Sequence, residues 1–115
     1  MKKLVSTAAL AALLGAPAWA ADDVTLQLKW VTQAQFAGYY VALDQGFYEE
    51  EDLNVKILAG GPDIAPGQVL AGGGADVMID WLPSALAARE KGLPIVNIAQ
   101  PFKTSGLMQI GRAHV

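Results

Sequence analysis

The chain has 115 residues, eight of them Lys or Arg and 11 Asp or Glu, for a formal net charge of −3. That acidity speaks against nucleic acid and anionic membranes as partners, since both call for clustered positive charge. The lack of Cys excludes a disulfide framework and a lipid-anchored cysteine, and a single His, His114, cannot build a Cys/His metal cluster.

The first 20 residues read as a removable export signal. Met1-Lys2-Lys3 is a short positive start, 4–15 is apolar and small, and Ala18-Trp19-Ala20 fits the pattern cut by a signal peptidase. A membrane anchor would need roughly 20 apolar residues; this run is shorter and is broken by Gly15 and Pro17. Cleavage after Ala20 removes Lys2 and Lys3, so six basic residues face the 11 acidic ones and the mature charge is −5. The 95 residues that remain of 115 suffice for one small domain and fall far short of two lobes.

After the leader, strand-like and helix-like segments alternate. Residues 24–30 alternate apolar and polar with period two and predict a strand ending at Trp30. Phe36, Tyr39, Tyr40 and Leu43 are spaced for a helix over 36–45, with Gly46 suited to the left-handed residue past its end. A second strand is expected over 53–58, with Leu53, Val55 and Ile57 on one face. Gly60-Gly61-Pro62-Asp63 is a turn. A short helix should follow, with Asp63 near its N-cap and Pro66 in its first turn, and Gly72-Gly73-Gly74 should end it.

The apolar run 75–79 predicts a short strand buried on both faces. Residues 83–91 predict a third helix, with Pro83 at its start, Arg89 and Lys91 in its last turn and Gly92 just past it. A fourth strand is expected over 94–99. The alternation implies an α/β fold with a parallel sheet. The strand order expected is second-first-third-fourth. The last six residues, 110–115, resemble one reading frame of a common sequencing adapter and are expected to be a non-native tail.

Ligands of open parallel sheets bind beyond the carboxyl ends of the strands. Four segments qualify: 30–35, 59–61, 80–81 and 100–102. Trp30 and Trp81 could sandwich a flat ligand between them, or simply cap the core. Gln33 and Gln35 can each donate and accept, which suits a heteroatom-rich ligand, or they are solvated loop residues. Asp80, the one acid ending an apolar strand, either binds a ligand amine or caps the following helix. Gly60 and Gly61 could offer backbone N–H groups to an anion, or form a plain turn.

Sharper chemistry is missing from the sequence. No Gly-Lys-Ser/Thr follows the triple glycine, so it is not a phosphate loop. No nucleophile–base–orienter set can be assembled, because the usual base is lacking. The run Glu49-Glu50-Glu51-Asp52 has neither the alternation nor the internal Gly of a calcium loop. No catalytic residue, metal or cofactor is therefore expected.

Several ordered motifs carry a resemblance. They are Trp30 at a strand end, Gly38-Tyr39-Tyr40-Val41-Ala42, Gly46-Phe47-Tyr48-Glu49-Glu50-Glu51, Gly74-Ala75-Asp76-Val77 with Asp80, and Gly92-Leu93-Pro94-Ile95. Over 24–108 the chain resembles periplasmic substrate-binding proteins of the thiamine-pyrimidine, nitrate, sulfonate and taurine type. The resemblance implies two α/β lobes closing on a small-molecule ligand, and delivery to an inner-membrane ABC permease with a cytoplasmic ATPase. Residues 21–109 would then be a partial first lobe of a periplasmic protein, monomeric when full length.

The pyrimidine branch has a signature resembling D-W-T-P-N-T-N-H-T-G. Laid on 29–38, Trp30 and Gly38 match it. Lys29 stands for the Asp, Val31 for Thr, Thr32 for Pro, Gln33 and Gln35 for the two Asn, and Phe36 for the His. Pyrimidine synthases of similar fold use that His, and Phe36 cannot do its chemistry. The resemblance thus implies a non-catalytic binding protein, with Trp30 as a stacking platform and Phe36 and Tyr39 near the ligand. A synthase-like enzyme and an autonomous interaction domain are the competing readings.

Overall fold

The computed structural model describes residues 20–104. All of the expected leader but Ala20, and the whole of the expected tail at 110–115, lie outside the described residues. The elements in chain order are β1 (Asp22–Gln27), α1 (Ala37–Asp44), β2 (Leu53–Leu58), α2 (Pro66–Ala71), β3 (Val77–Met78) and α3 (Leu82–Glu90), with short 3-10 turns at Ala34–Phe36 and Glu49–Glu51. The sheet is parallel, with β1 in the centre and the order β2-β1-β3.

β1 is central because both of its edges find partners. It pairs with β2 from Asp22↔Leu53 to Gln27↔Leu58, and with β3 through Leu26↔Val77 and Gln27↔Met78. Leu28 N–H donates to the Leu58 carbonyl at 2.8 Å, and Ile79 N–H to the Gln27 carbonyl at 2.8 Å, so the ladder runs slightly past the strand ends. Leu26, Leu28, Phe36 and Val55 form the buried core, with Tyr39, Tyr40 and Tyr48 packed against it.

The helices end as their sequence signals predict. Gly46, Gly73 and Gly92 have φ of +77°, +74° and +92°. At each, the glycine N–H and the one after it turn back to carbonyls of the last helical turn. For α1 these are Gly46 to Leu43 at 3.3 Å and Phe47 to Ala42 at 2.9 Å. A left-handed residue is needed to make both bonds, and glycine adopts that conformation without a Cβ clash.

Several expectations are corrected. β1 ends at Gln27 rather than at Trp30, so Lys29 and Trp30 belong to the loop beyond it. α1 begins at Ala37, and Phe36 closes the 3-10 turn before it. α2 takes Pro66 at its start, but Ala65 is its N-cap and Asp63 caps nothing. β3 is two residues long and only half-buried, because β1 flanks it on one side and no strand flanks it on the other among the described residues. No fourth strand forms over 94–99: Val96 and Ile98 are 81% and 77% exposed. Alternating apolar residues make a strand only where a neighbour takes up their backbone groups.

Candidate functional site

The carboxyl ends of β1, β2 and β3 deliver three loops to one edge of the sheet. The loops after β1 and β2 run together: Gly60 N–H donates to the Trp30 carbonyl at 2.9 Å. A Cβ at Gly60 would lie 2.4 Å from the Leu28 oxygen and 2.6 Å from Trp30 N, so only glycine permits this approach. Gly60 N–H is therefore not open to an anion, and α2 starts only at Pro66. Gly61 is buried, and its carbonyl accepts from Ile64 N–H at 3.2 Å within the turn.

Gln27 holds the same two loops from beneath. It is 3% exposed, and its Nε2 donates to the carbonyls of Leu28 at 2.9 Å and Ala59 at 3.2 Å. A buried amide left without such partners would cost about 1–3 kcal/mol.

Trp30 and Trp81 follow the ends of the adjacent strands β1 and β3 and are 38% and 59% exposed. Asp80 does not cap α3 through its side chain; the N-cap is Trp81. Instead, Asp80 Oδ1 accepts from Trp81 N–H at 2.7 Å and from Lys29 Nζ at 2.8 Å. The same ammonium lies over the Trp81 ring, 5.4 Å from its centroid. Lys29, Asp80 and Trp81 thus form one polar–aromatic unit spanning the ends of β1 and β3.

The other residues singled out from the sequence divide into two groups. Gln33 and Gln35 are exposed on the 3-10 turn, where the Gln33 carbonyl accepts from Phe36 N–H at 2.9 Å. Phe36 is 4% exposed and belongs to the core beside Leu26 and Leu28. Tyr39 is half-buried against that core, and burial pushes its phenol above the ordinary value. Tyr40 hydroxyl and Thr32 Oγ1 lie 3.1 Å apart and tie the loop after β1 onto α1.

A groove of about 820 Å³ opens between α2 and α3, walled by Leu70, Ala87, Ala88 and Leu93. Lys29 and Asp80 line it as well, so it reaches the same strand ends. Among the described residues, no three His, Cys, Asp or Glu gather as metal ligands. No helix among them is long and apolar enough to cross a membrane.

Comparison with known proteins agrees with this architecture. The family model described as NMT1/THI5 like matches residues 33–112. The chain belongs to the NMT1/THI5-like family. It is 32% identical to a formylaminopyrimidine-binding protein of Halalkalibacterium halodurans over 85 residues, 74% of this chain and 26% of that protein. It is 26% identical over 86 residues to a Haemophilus influenzae protein named for thiamine biosynthesis, covering 75% of this chain and 27% of that one. It is also 32% identical over 75 residues to a 4-amino-5-hydroxymethyl-2-methylpyrimidine phosphate synthase of Legionella pneumophila, 65% of this chain and 24% of that protein. The chain spans about a quarter of the length of these relatives. No solved structure gives a significant match.

For an NMT1/THI5-like chain, an open three-stranded parallel sheet fits an incomplete lobe of the two-lobed periplasmic-binding-protein fold. Two residues of its strand-end wall escape sequence reasoning. Gln27 occupies a polar place in an alternating strand and so reads as solvent-facing. Lys29 reads the same way, and only its departure from the D-W-T-P signature marks it.

Proposed function

We propose that this chain belongs to a soluble, non-catalytic substrate-binding component of an ABC importer. It is exported by a leader over 1–20, and residues 21–109 form part of its first lobe. The protein captures a small flat heteroaromatic molecule, a pyrimidine, in the cleft between two lobes and presents it to a membrane permease with a cytoplasmic ATPase. One observation carries the reading: two exposed indoles follow the carboxyl ends of two hydrogen-bonded parallel strands, where open α/β sheets bind their ligands. The relative named for formylaminopyrimidine binding supports the ligand class.

A synthase reading is raised by the Legionella relative. Against it stands Phe36, core-packed and unable to move a proton, at the place where the synthase-like signature has a His. The test is calorimetric titration of a 4-aminopyrimidine into the whole exported protein. One-to-one binding with the ligand recovered unchanged is expected. Release of a newly formed pyrimidine phosphate from protein given no pyrimidine would favour the enzyme, since a synthase yields the pyrimidine as its product. Trp30→Ala should weaken binding about tenfold, as loss of a stacking partner worth about 0.5–1.5 kcal/mol plus its buried area implies. Unchanged affinity in a folded variant rules out Trp30 as the platform.

A further inference from the structure

The two indoles of the strand-end wall are held in different ways. The loop carrying Trp30 is fastened to the loop after β2 by the backbone, through Gly60 N–H and the Trp30 carbonyl at 2.9 Å. On the other side, the ladder between β1 and β3 gives out at the bond from Ile79 N–H to the Gln27 carbonyl. Past that bond, among the described residues, no backbone hydrogen bond joins the loop after β1 to the loop after β3. The link there is made by side chains: Lys29 Nζ lies 2.8 Å from Asp80 Oδ1.

Burial alone does not fix Trp81, which is 59% exposed. An indole so exposed samples several rotamers unless a directed contact holds it. Two contacts converge on this residue. Asp80 Oδ1 accepts from Trp81 N–H at 2.7 Å, and the Lys29 ammonium lies 5.4 Å from the ring centroid, within reach of a cation–π attraction. Because the Asp80 side chain is 8% exposed, the ion pair escapes most of the solvent screening that weakens surface pairs. Lys29 precedes Trp30 in the chain, so the group that holds one indole rides on the loop of the other.

We infer that Lys29 is a positioning residue: braced by Asp80, it fixes the Trp81 ring relative to Trp30 before a ligand arrives. The inference rests on the binding-protein reading above and deepens it, since a ring already ordered adds no ordering cost to binding. The pair is neutral as a whole and acts on the place of the ring, not on the charge of the ligand.

The experiment uses the whole exported protein with 5-fluorotryptophan incorporated; the fluorine resonance of Trp81 is the one lost in Trp81→Phe. In the double variant Lys29→Met, Asp80→Asn, the Met keeps the length of the stem and the Asn keeps an acceptor for Trp81 N–H. The cation is removed without leaving a buried unpaired charge. In ligand-free protein the Trp81 resonance should lie apart from that of free 5-fluorotryptophan, and the double variant should move it toward the free position. Lys29→Arg, which can pair with the carboxylate and stack on the indole, should keep it in place. Affinity for a 4-aminopyrimidine should fall about fivefold in the double variant and hold in Lys29→Arg. A resonance unmoved by the double variant overturns the inference, and so does an unchanged affinity in protein that binds the pyrimidine. If wild-type protein binds no pyrimidine while the resonance moves as expected, the pyrimidine reading fails and Lys29 keeps its role in placing the ring. If the double variant does not fold, the Lys29 ε-methylene protons of the wild-type protein decide. An upfield ring-current shift that disappears in Trp81→Ala supports the inference, and an ordinary position overturns it.

Discussion

At the scale of single residues, the strand-end wall depends on groups that the ligand need not touch. Gly60 is the clearest, because its missing Cβ lets the loops after β1 and β2 share a hydrogen bond. Gly60→Ala should destabilise the fold by about 1–3 kcal/mol, the usual cost of forcing an extra methyl into a packed site. Urea midpoints of the two proteins measure it; equal midpoints would mean that the loops part freely. Trp30 and Trp81 were legible as aromatics near strand ends, Trp30 after an alternating segment and Trp81 after a short apolar one, and each lies in the loop three residues past its strand. Phe36 was not placed correctly. Its helical spacing from Tyr39 and Tyr40 is real, yet spacing does not say that the residue directly before the helix closes a 3-10 turn. The Asp80 cap failed for a related reason: a lysine 51 positions earlier competes for the carboxylate.

At the scale of elements, local chemistry decided the boundaries. β2 forms over Leu53–Leu58, and α1, α2 and α3 each stop at a glycine of positive φ. Such signals act within a few residues, so they can be read from the chain. The packing of α1 and the turn after it on β1 and β2 has a consequence in alkali. Burial raises the Tyr39 phenol, and burial followed by the Tyr39 charge raises the Tyr48 phenol, both above the ordinary 10.0. Below pH 10 both phenols are neutral in either state, and their contribution to stability is complete. Above it the unfolded chain ionises first, so stability falls as pH rises toward the raised native values. Melting temperatures between about pH 8 and pH 11 should drop, and less so for Tyr48→Phe. An identical drop in that variant would place the effect elsewhere. The failed fourth strand marks the limit of local signals, since 94–99 carries the right residues and lacks a neighbour to pair with.

At the scale of the whole molecule, both outer strands of the sheet, β2 and β3, pair only with β1 among the described residues. Among the described residues β3 is hydrogen-bonded to β1 alone, and Leu82, Val96, Ile98 and Phe102 stand in solvent. An unpaired edge beside exposed apolar side chains invites association between chains. Residues 21–115 expressed alone should therefore aggregate. Size-exclusion and thermal melting provide the check, and a monomer with one cooperative transition would contradict it. The sequence by itself determined the α/β alternation and the glycine stops of the helices. These follow from periodicity and backbone sterics, which act between near neighbours in the chain. Only the tertiary structure decided that Gln27 lies buried beneath the loops, that Phe36 is core, and that Lys29 reaches Asp80 and Trp81. Each is a meeting of groups distant in sequence, and no local pattern encodes which strand end will lie beside which.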